Sequence, residues 1–141
     1  MTQQRRSVLV TGGSRGIGHA VAKELSKDHH VLVGGTSPGT VNAVVGQLDD
    51  AEPFIADLTD AQAVAEAVAA VDRLDAVVHS AGTYGSGNTL AQTSRSEWRD
   101  VLELNVVAVA DLTAQLLPLL RDSHGQIVMI NSGSGLHRPG P

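Results

Sequence analysis

The chain has 141 residues, 42% of them hydrophobic, and its formal net charge is −5 at pH 7. This length and apolar content suffice for a buried core, and they predict one globular domain over residues 1–141. The acidic residues are scattered and the only basic doublet is Arg5-Arg6, so we expect no basic face and no nucleic-acid partner.

The composition also argues against membrane, thiol and metal chemistry. Asp or Gln interrupts the apolar runs before they reach the length of a membrane span. The absence of cysteine rules out disulfides, and a soluble cytoplasmic protein is the expectation. Six histidines are present, but their positions lack the spacing of metal ligands, so no metal site is expected.

Short runs of Val, Leu and Ile alternate with longer segments of helical period. This alternation predicts βαβ units, an α/β fold and a parallel sheet that is buried on both faces. Five strands are predicted, over residues 7–11, 30–34, 53–56, 74–79 and 126–131.

Helical spacing between these strands predicts the crossover helices. The first helix follows strand one, with apolar positions at Ile17, Val21 and Leu25. A short helix is predicted within 37–48. The next helix follows strand three, with Thr59 and Gln62 as a capping box before the apolar positions Val64, Val68 and Val71.

A longer helix is predicted between strands four and five. It begins at Ser94, whose capping-box partner is Glu97, and it runs until Pro118 disturbs its last turns. Its apolar stripe contains Trp98, Leu102, Val109, Leu112 and Leu116. Segments rich in Gly, Ser and Thr follow strands two, four and five, at the sheet edge where doubly wound folds bind ligands.

The strongest local signal is Thr11-Gly12-Gly13-Ser14-Arg15-Gly16-Ile17-Gly18, which connects the first strand directly to the first helix. Here Gly12 permits a tight turn, Gly16 lets the backbone approach a diphosphate, and Gly18 lets the helix pack closely. The free N–H groups at the start of the helix would receive the anion. The alternative is a plain glycine-rich turn, but the strand–turn–helix context favours nucleotide binding.

The Gly-x-x-x-Gly-x-Gly spacing of this loop resembles that of the short-chain dehydrogenase/reductase family, classical type. Four further segments match in order: Asp57-Leu58-Thr59, Ser80-Ala81-Gly82, Asn105, and the strand ending at Ser132. The resemblance extends from Val8 to about Gly135 and implies a Rossmann-type doubly wound sheet with strand order 3-2-1-4-5. It further implies that Asp57 binds adenine and that Asn105 and Ser132 are catalytic.

Each match also has a purely structural explanation. Asp57 could cap the following helix or solvate a turn, and Ser80-Ala81-Gly82 could be a small-residue turn. His79 and Ser80 stand where the family usually has two asparagines. Asn105 lies in the apolar stripe with Trp98, Leu102, Val109 and Leu112, so its amide is expected to lie inward, where it needs partners. It could also be a purely structural buried amide. Ser132 could be an ordinary loop hydroxyl, with Ser134 two residues away.

The end of the second strand favours NADP(H) over NAD(H). An NAD site usually places an acid there for the ribose hydroxyls, whereas this chain has Gly34-Gly35-Thr36-Ser37 and no acid until Asp49. Arg15, Thr36 and Ser37 can bind a 2′-phosphate by donating hydrogen bonds. The alternative for Arg15 is a solvated loop cation.

As the resemblance implies, a tyrosine and a lysine complete the catalytic group of the family, and this sequence contains no Tyr-x-x-x-Lys. Tyr84 is followed four positions later by Asn88, and the lysines are Lys23 and Lys27 of the first helix. We therefore expect a chain truncated before that helix and inactive alone, with strand five as an exposed apolar edge.

The leading hypothesis is an NADP(H)-dependent oxidoreductase that interconverts a carbonyl and a secondary alcohol of a small-molecule substrate, represented here by its cofactor-binding part. A non-catalytic dinucleotide-sensing module and a ligand-free scaffold are the alternatives. Members of the family often pair their fourth and fifth helices between subunits, so a homo-oligomer, either a dimer or a tetramer, is a possible partner state of this chain. The sequence does not name the substrate.

Overall fold

A computed structural model describes residues 4–133 of the chain and contains a five-stranded parallel sheet. The strands are β1 (Ser7–Val10), β2 (His30–Gly35), β3 (Ala51–Ile55), β4 (Ala76–His79) and β5 (Gln126–Met129). Their order in the sheet is β3-β2-β1-β4-β5. The predicted doubly wound α/β fold and its strand order are therefore confirmed, with strand ends within about two residues of expectation.

Five α-helices connect the strands: α1 (Gly16–Leu25), α2 (Pro38–Val45), α3 (Ala61–Ala69), α4 (Arg95–Leu102) and α5 (Ala108–Asp122). A short 3₁₀ turn, Leu90–Gln92, precedes α4, and a π-helical turn, Glu103–Val107, joins α4 to α5. The short helix expected within 37–48 is α2, so that prediction is confirmed.

The core lies in two layers because alternate residues of each strand point to opposite faces of the sheet. On one face, Leu9, Leu32 and Val77 pack with Val64 of α3 and with the buried leucines of α5. On the other face, Val8, Val10, Val31, Val33 and Val78 pack against α1 and α2. Helices on both faces leave the carboxyl ends of the strands along one open edge.

The packed side of α1 differs from the apolar spacing in the sequence. Gly18 and Ala22 are buried, Val21 and Leu25 are half-buried, and Ile17 is 62% exposed. Small residues let the helix lie close to the sheet, while Ile17 stands at the open edge beside the loop that precedes the helix.

Two predicted helix boundaries need correction. Asp60, not Thr59, caps α3: its Oδ1 accepts hydrogen bonds from the amides of Gln62 and Ala63. The Thr59 hydroxyl instead donates to Asp57 within the turn that precedes α3. Pro118 lies inside α5, which continues to Asp122, since Leu116 and Leu120 on either side are buried in the core.

The predicted start of the long helix is confirmed, because the Ser94 hydroxyl oxygen accepts a hydrogen bond from the Glu97 amide. The continuous helical stretch Arg95–Asp122 has 28 residues and is long and apolar enough to cross a membrane by length and composition alone. Within this stretch, Leu112, Leu116 and Leu120 pack into the core of the sheet.

Strand β5 forms one edge of the sheet, with its apolar side chains open on both faces. Ile127, Val128, Met129 and Ile130 are each at least 41% exposed. In the described part of the chain, no helix covers this strand, which matches the expected exposed apolar edge.

Candidate cofactor-binding site

The loop between β1 and α1 is held by close backbone packing. Gly12 has φ +58°, and a Cβ there would lie 2.9 Å from the Cα of Ala81 in the loop after β4. A Cβ on Gly18 would overlap the carbonyl oxygen of Gly12 and lie 2.8 Å from its carbonyl carbon. Both positions therefore require glycine.

Gly16 has a different environment at the start of α1. Its φ is +59°, and a Cβ there would meet nothing within 4 Å. The N-cap residue Arg15 forms no side-chain cap, and the first turn carries no acidic residue. Open space beside uncapped helix amides fits a diphosphate, because these N–H groups and the helix dipole attract an anion.

Thr11 joins this loop to the one after β4. Its side chain is buried, and Oγ1 accepts hydrogen bonds from the amides of Ser80 at 3.0 Å and Ala81 at 3.1 Å. The Thr11 amide also donates to the carbonyl of Val78. The sequence placed Thr11 at the end of the first strand and at the start of the glycine loop, but Thr11 was not among the predicted site residues.

A Thr11→Val substitution should lower the free energy of unfolding by about 2 kcal/mol, because it leaves two partly buried amides without an acceptor. Thr11→Ser keeps the hydroxyl and should cost less than half as much. Urea denaturation of the three proteins would measure this difference. Equal stability of the valine and serine variants would show that the hydroxyl does not hold the two loops together.

The end of β2 carries no acidic side chain. Thr36 and Ser37 are exposed, and a Cβ on Gly35 would lie 3.5 Å from Oγ of Ser14, so the first loop adjoins this strand end. Arg15 is also exposed. Three groups that can donate hydrogen bonds to phosphate therefore lie along the same edge: the side chains of Arg15, Thr36 and Ser37.

Asp57 follows β3 and folds back onto its own turn. Its Oδ1 accepts hydrogen bonds from the hydroxyl of Thr59 at 2.7 Å and from the Thr59 amide at 2.9 Å, and these bonds lower the pKa of the carboxyl. The exposed carboxylate therefore stays charged and does not cap α3. Leu58 is half-buried against the core, so its side chain points away from the open edge.

The loop after β4 begins with Ser80, Ala81 and Gly82 and is bonded to Asn105. Oδ1 of Asn105 accepts from the Thr83 amide at 2.9 Å, and Nδ2 donates to the Thr83 carbonyl at 2.8 Å. Asn105 lies in the π-helical turn and is exposed, so the expectation of an inward-facing amide is wrong. The Asn105 amide was predicted to need hydrogen-bond partners, and the backbone of Thr83 supplies both of them. Such π-turns are frequent at functional sites.

Ser132 follows β5, which pairs with β4 in the order needed to bring the two strand ends side by side. Its amide donates to Oδ1 of Asn131 at 2.8 Å, and the residue is exposed. Ser134, the alternative hydroxyl, lies outside the described residues. The assignments of Ser132 and Asn105 as catalytic residues stay predictions.

His79 is a buried polar residue at the end of β4, 4% exposed. Its Nε2 lies 2.9 Å from Oγ1 of Thr113, which itself donates to the carbonyl of Val109. A hydroxyl that already donates must accept from the ring, so Nε2 carries the proton. Nδ1 is then a buried acceptor with no partner among residues 4–133. Burial lowers the pKa of His79.

This pKa predicts a loss of stability at mildly acidic pH. The unfolded chain protonates His79 near its ordinary pKa of about 6.5, whereas the folded chain does so only at lower pH, so stability is retained above about 6.5 and falls below it. The opposite sign is expected for His30, where burial is outweighed by Asp50 and Glu52 and the pKa is raised.

Because His79 and His30 have opposite effects on the pH dependence of stability, the contribution of His79 has to be measured separately. We expect the difference in unfolding free energy between the wild type and His79→Asn to shrink by up to about 1.4 kcal/mol per pH unit below pH 6.5 and to be constant above 7.5. A difference that does not change with pH would contradict the lowered pKa.

Every predicted cofactor residue thus follows the carboxyl end of a strand, along one edge of the sheet. The residues after β1 are Gly12, Ser14, Arg15, Gly16, Ile17 and Gly18; those after β2, β3 and β4 are Thr36, Ser37, Asp57, Leu58, Ser80, Ala81 and Gly82. Among them the side chain of Leu58 faces the core, so its contact with a cofactor would come from the backbone.

Comparison with known proteins gives the family. A family profile described as short chain dehydrogenase matches residues 6–140. Short-chain dehydrogenase anuI of Penicillium roqueforti is 34% identical, over 91% of this chain and 56% of its own length. The NADPH-dependent pterin aldehyde reductase of Arabidopsis thaliana is 30% identical, over 96% of this chain and 59% of its own length.

A solved structure agrees with this assignment. The NADP active-site complex of Pseudomonas aeruginosa RhlG superposes with a TM-score of 0.85 at 32% identity, over 98% of this chain and 59% of that one. The chain thus spans somewhat more than half the length of these relatives. With its profile match, its parallel sheet and its glycine loop, the chain belongs to the short-chain dehydrogenase family.

Proposed function

We propose that this chain is the NADP(H)-binding part of an oxidoreductase that interconverts a carbonyl and a secondary alcohol. The observation that carries the proposal is the loop between β1 and α1, where close packing at Gly12 and Gly18 holds the uncapped start of the helix beside open space at Gly16. Support for NADP(H) comes from a relative named as NADPH-dependent and a neighbour solved as an NADP complex.

Residues that follow different strands would bind different parts of the cofactor. The amides at Gly16 and Ile17 would hold the diphosphate, and Arg15, Thr36 and Ser37 would bind a 2′-phosphate. Asp57 would accept a hydrogen bond from adenine, because its carboxylate is exposed. Its Oδ1 also accepts from Thr59. Ser80-Ala81-Gly82 would lie along the middle of the cofactor.

A bound nicotinamide supplies or takes up the hydride. The part proposed for Ser132 is to donate a hydrogen bond to the substrate oxygen, and the part proposed for Asn105 is to hold the loop after β4 through Thr83. The sequence contains one tyrosine, Tyr84, and it is not followed by a lysine four positions later. We therefore propose that the 141-residue chain binds cofactor without turnover.

Fluorescence titration of the purified chain with NADPH and NADH tests this function. We expect saturable NADPH binding that is at least about tenfold tighter than NADH binding, which corresponds to one charge-assisted phosphate contact. No hydride transfer to a panel of ketones and aldehydes should be detected. Absence of binding by both nucleotides would favour a ligand-free scaffold, and turnover by the chain alone would refute the proposed lack of activity.

A further inference from the structure

His79, the last residue of β4, contacts two other elements near the open edge of the sheet. Its Nε2 lies 2.9 Å from Oγ1 of Thr113 on α5. Its carbonyl accepts a hydrogen bond from the amide of Ile130, two residues before Ser132. The histidine therefore joins the end of β4 both to α5 and to the strand that leads to the proposed catalytic serine.

The residues that follow His79 hold the glycine loop. The amides of Ser80 and Ala81 donate to Oγ1 of Thr11 at 3.0 and 3.1 Å. A Cβ on Gly12 would stand 2.9 Å from the Cα of Ala81, so the two loops pack backbone to backbone. A shift of the chain at the end of β4 would therefore displace Gly12 and the amides proposed to bind the diphosphate.

The surroundings of the His79 ring favour its neutral form. In that form Nε2–H donates to Thr113, and Nδ1 is an acceptor that no group within residues 4–133 meets. A proton on Nδ1 would add a second donor and a positive charge at a residue that is 4% exposed. Because an unpaired buried charge is costly, protonation favours a conformation in which the ring leaves this position for solvent.

In the described part of the chain, no charged group pairs with the ring. The strands on either side of β4, which are β1 and β5, carry no titratable residue. The charged side chains of the glycine loop, of the π-helical turn and of the helices on the same face are Arg15, Glu103, Glu66, Asp111, Arg121 and Asp122. None of these is a hydrogen-bond partner of the ring, and burial is the cause that lowers the pKa of His79.

We propose that His79 is a positioning residue that makes cofactor binding depend on pH. While its neutral ring is bonded to Thr113, the end of β4 holds the glycine loop in the conformation that receives the diphosphate. When the ring is protonated, the strand end and the loop shift, and NADP(H) binds more weakly. The proposal rests on the function proposed above. The family usually has an asparagine at this position, so the pH dependence comes from the histidine of this chain.

The proton and NADP(H) favour different forms of the protein. NADP(H) binds the form with the neutral ring, so falling pH weakens binding below about 6.5, the ordinary pKa of histidine. The protonated form should bind NADPH about tenfold more weakly, which corresponds to the loss of one hydrogen bond at Thr11. Because linkage is reciprocal, bound NADPH should lower the pKa of His79 by an amount equivalent to the same factor.

Fluorescence titrations with NADPH between about pH 7.5 and 5.5 would test the proposal, with His79→Asn as the comparison. Asparagine can donate to Thr113 but does not titrate. The two proteins should bind NADPH within about threefold of each other at the upper pH. As the pH falls, the wild type should lose affinity relative to the variant, up to about tenfold. The 2′-phosphate of NADPH titrates near pH 6, but it does so for both proteins and cancels in this ratio.

His30→Asn is the matched control. His30 lies at the start of β2, at the opposite end of the sheet from the cofactor loops, and its pKa is raised, so this variant should follow the wild type at every pH. NMR titration of the His79 ring with and without NADPH measures the reciprocal effect, even if His79→Asn does not fold. An affinity ratio that is constant with pH, or a pKa of His79 that NADPH leaves unchanged or raises, would overturn the proposal. Absence of NADPH binding at every pH would instead refute the cofactor function, and this proposal with it.

Discussion

Gly18→Ala should lower the free energy of unfolding by about 3 kcal/mol and abolish NADPH binding. The added methyl group would overlap the carbonyl oxygen of Gly12, which is backbone and has no rotamer with which to move aside. Either α1 moves away from the sheet or the loop opens, and both changes displace the amides proposed to bind the diphosphate. Urea denaturation and NADPH fluorescence would measure the two effects.

Two other glycines provide matched controls. Gly16→Ala adds the same methyl group in open space, so its cost in stability is the left-handed backbone alone, about 1 kcal/mol. It should still weaken NADPH binding, because the methyl group occupies the space proposed for the diphosphate. Gly39→Ala, in α2 with nothing near its Cβ, should be neutral or stabilising. Equal stability of the Gly16 and Gly18 variants would disprove the close packing at Gly18.

The fold and the phosphate loop were predictable because both depend on local patterns. Apolar strands such as β1 alternate with amphipathic helices, and this order alone indicates a parallel sheet. In the loop, the sequence spacing assigned distinct tasks to Gly12, Gly16 and Gly18. The structure gives Gly12 and Gly16 positive φ and gives Gly18 a close contact with the Gly12 carbonyl.

Contacts between distant segments were not predictable from sequence periodicity. The π-helical turn Glu103–Val107 interrupts the helical period: Trp98 and Leu102 before it are exposed, whereas Leu112 and Leu116 after it are buried. A continuous helical period has no signal for such a turn. The same turn moves Asn105 outward to Thr83, a contact that its apolar neighbours in the sequence conceal.

Polar contacts across loops were also missed. Thr11 looked like the last residue of a strand, and its role depends on two amides some seventy residues away. His79 appeared only as a departure from the family pattern, although the structure buries it against Thr113. Thr59 was predicted to cap α3, but its hydroxyl donates a hydrogen bond to Asp57. Each residue type allows several partners, and only the tertiary fold selects among them.

Thr36→Asp should reverse the cofactor preference. The exposed Thr36 follows β2 directly, where a carboxylate would repel a 2′-phosphate and accept hydrogen bonds from the ribose hydroxyls of NADH. Loss of a donor and gain of a like charge should together weaken NADPH binding by about a hundredfold, or about 3 kcal/mol. NADH binding should be unchanged or stronger. Parallel fluorescence titrations would measure both affinities.

Arg15→Ala tests the same discrimination from the end of the neighbouring strand, β1. It should weaken NADPH by about tenfold and leave NADH unaffected, because the guanidinium is assigned to the phosphate that only NADPH carries. Asn42→Asp adds a negative charge on the exposed side of α2 and controls for general repulsion. If Arg15→Ala weakens both nucleotides equally, Arg15 contacts the shared diphosphate. If neither affinity changes, Arg15 is a solvated loop cation, and the NADP(H) preference must come from Thr36 and Ser37 alone.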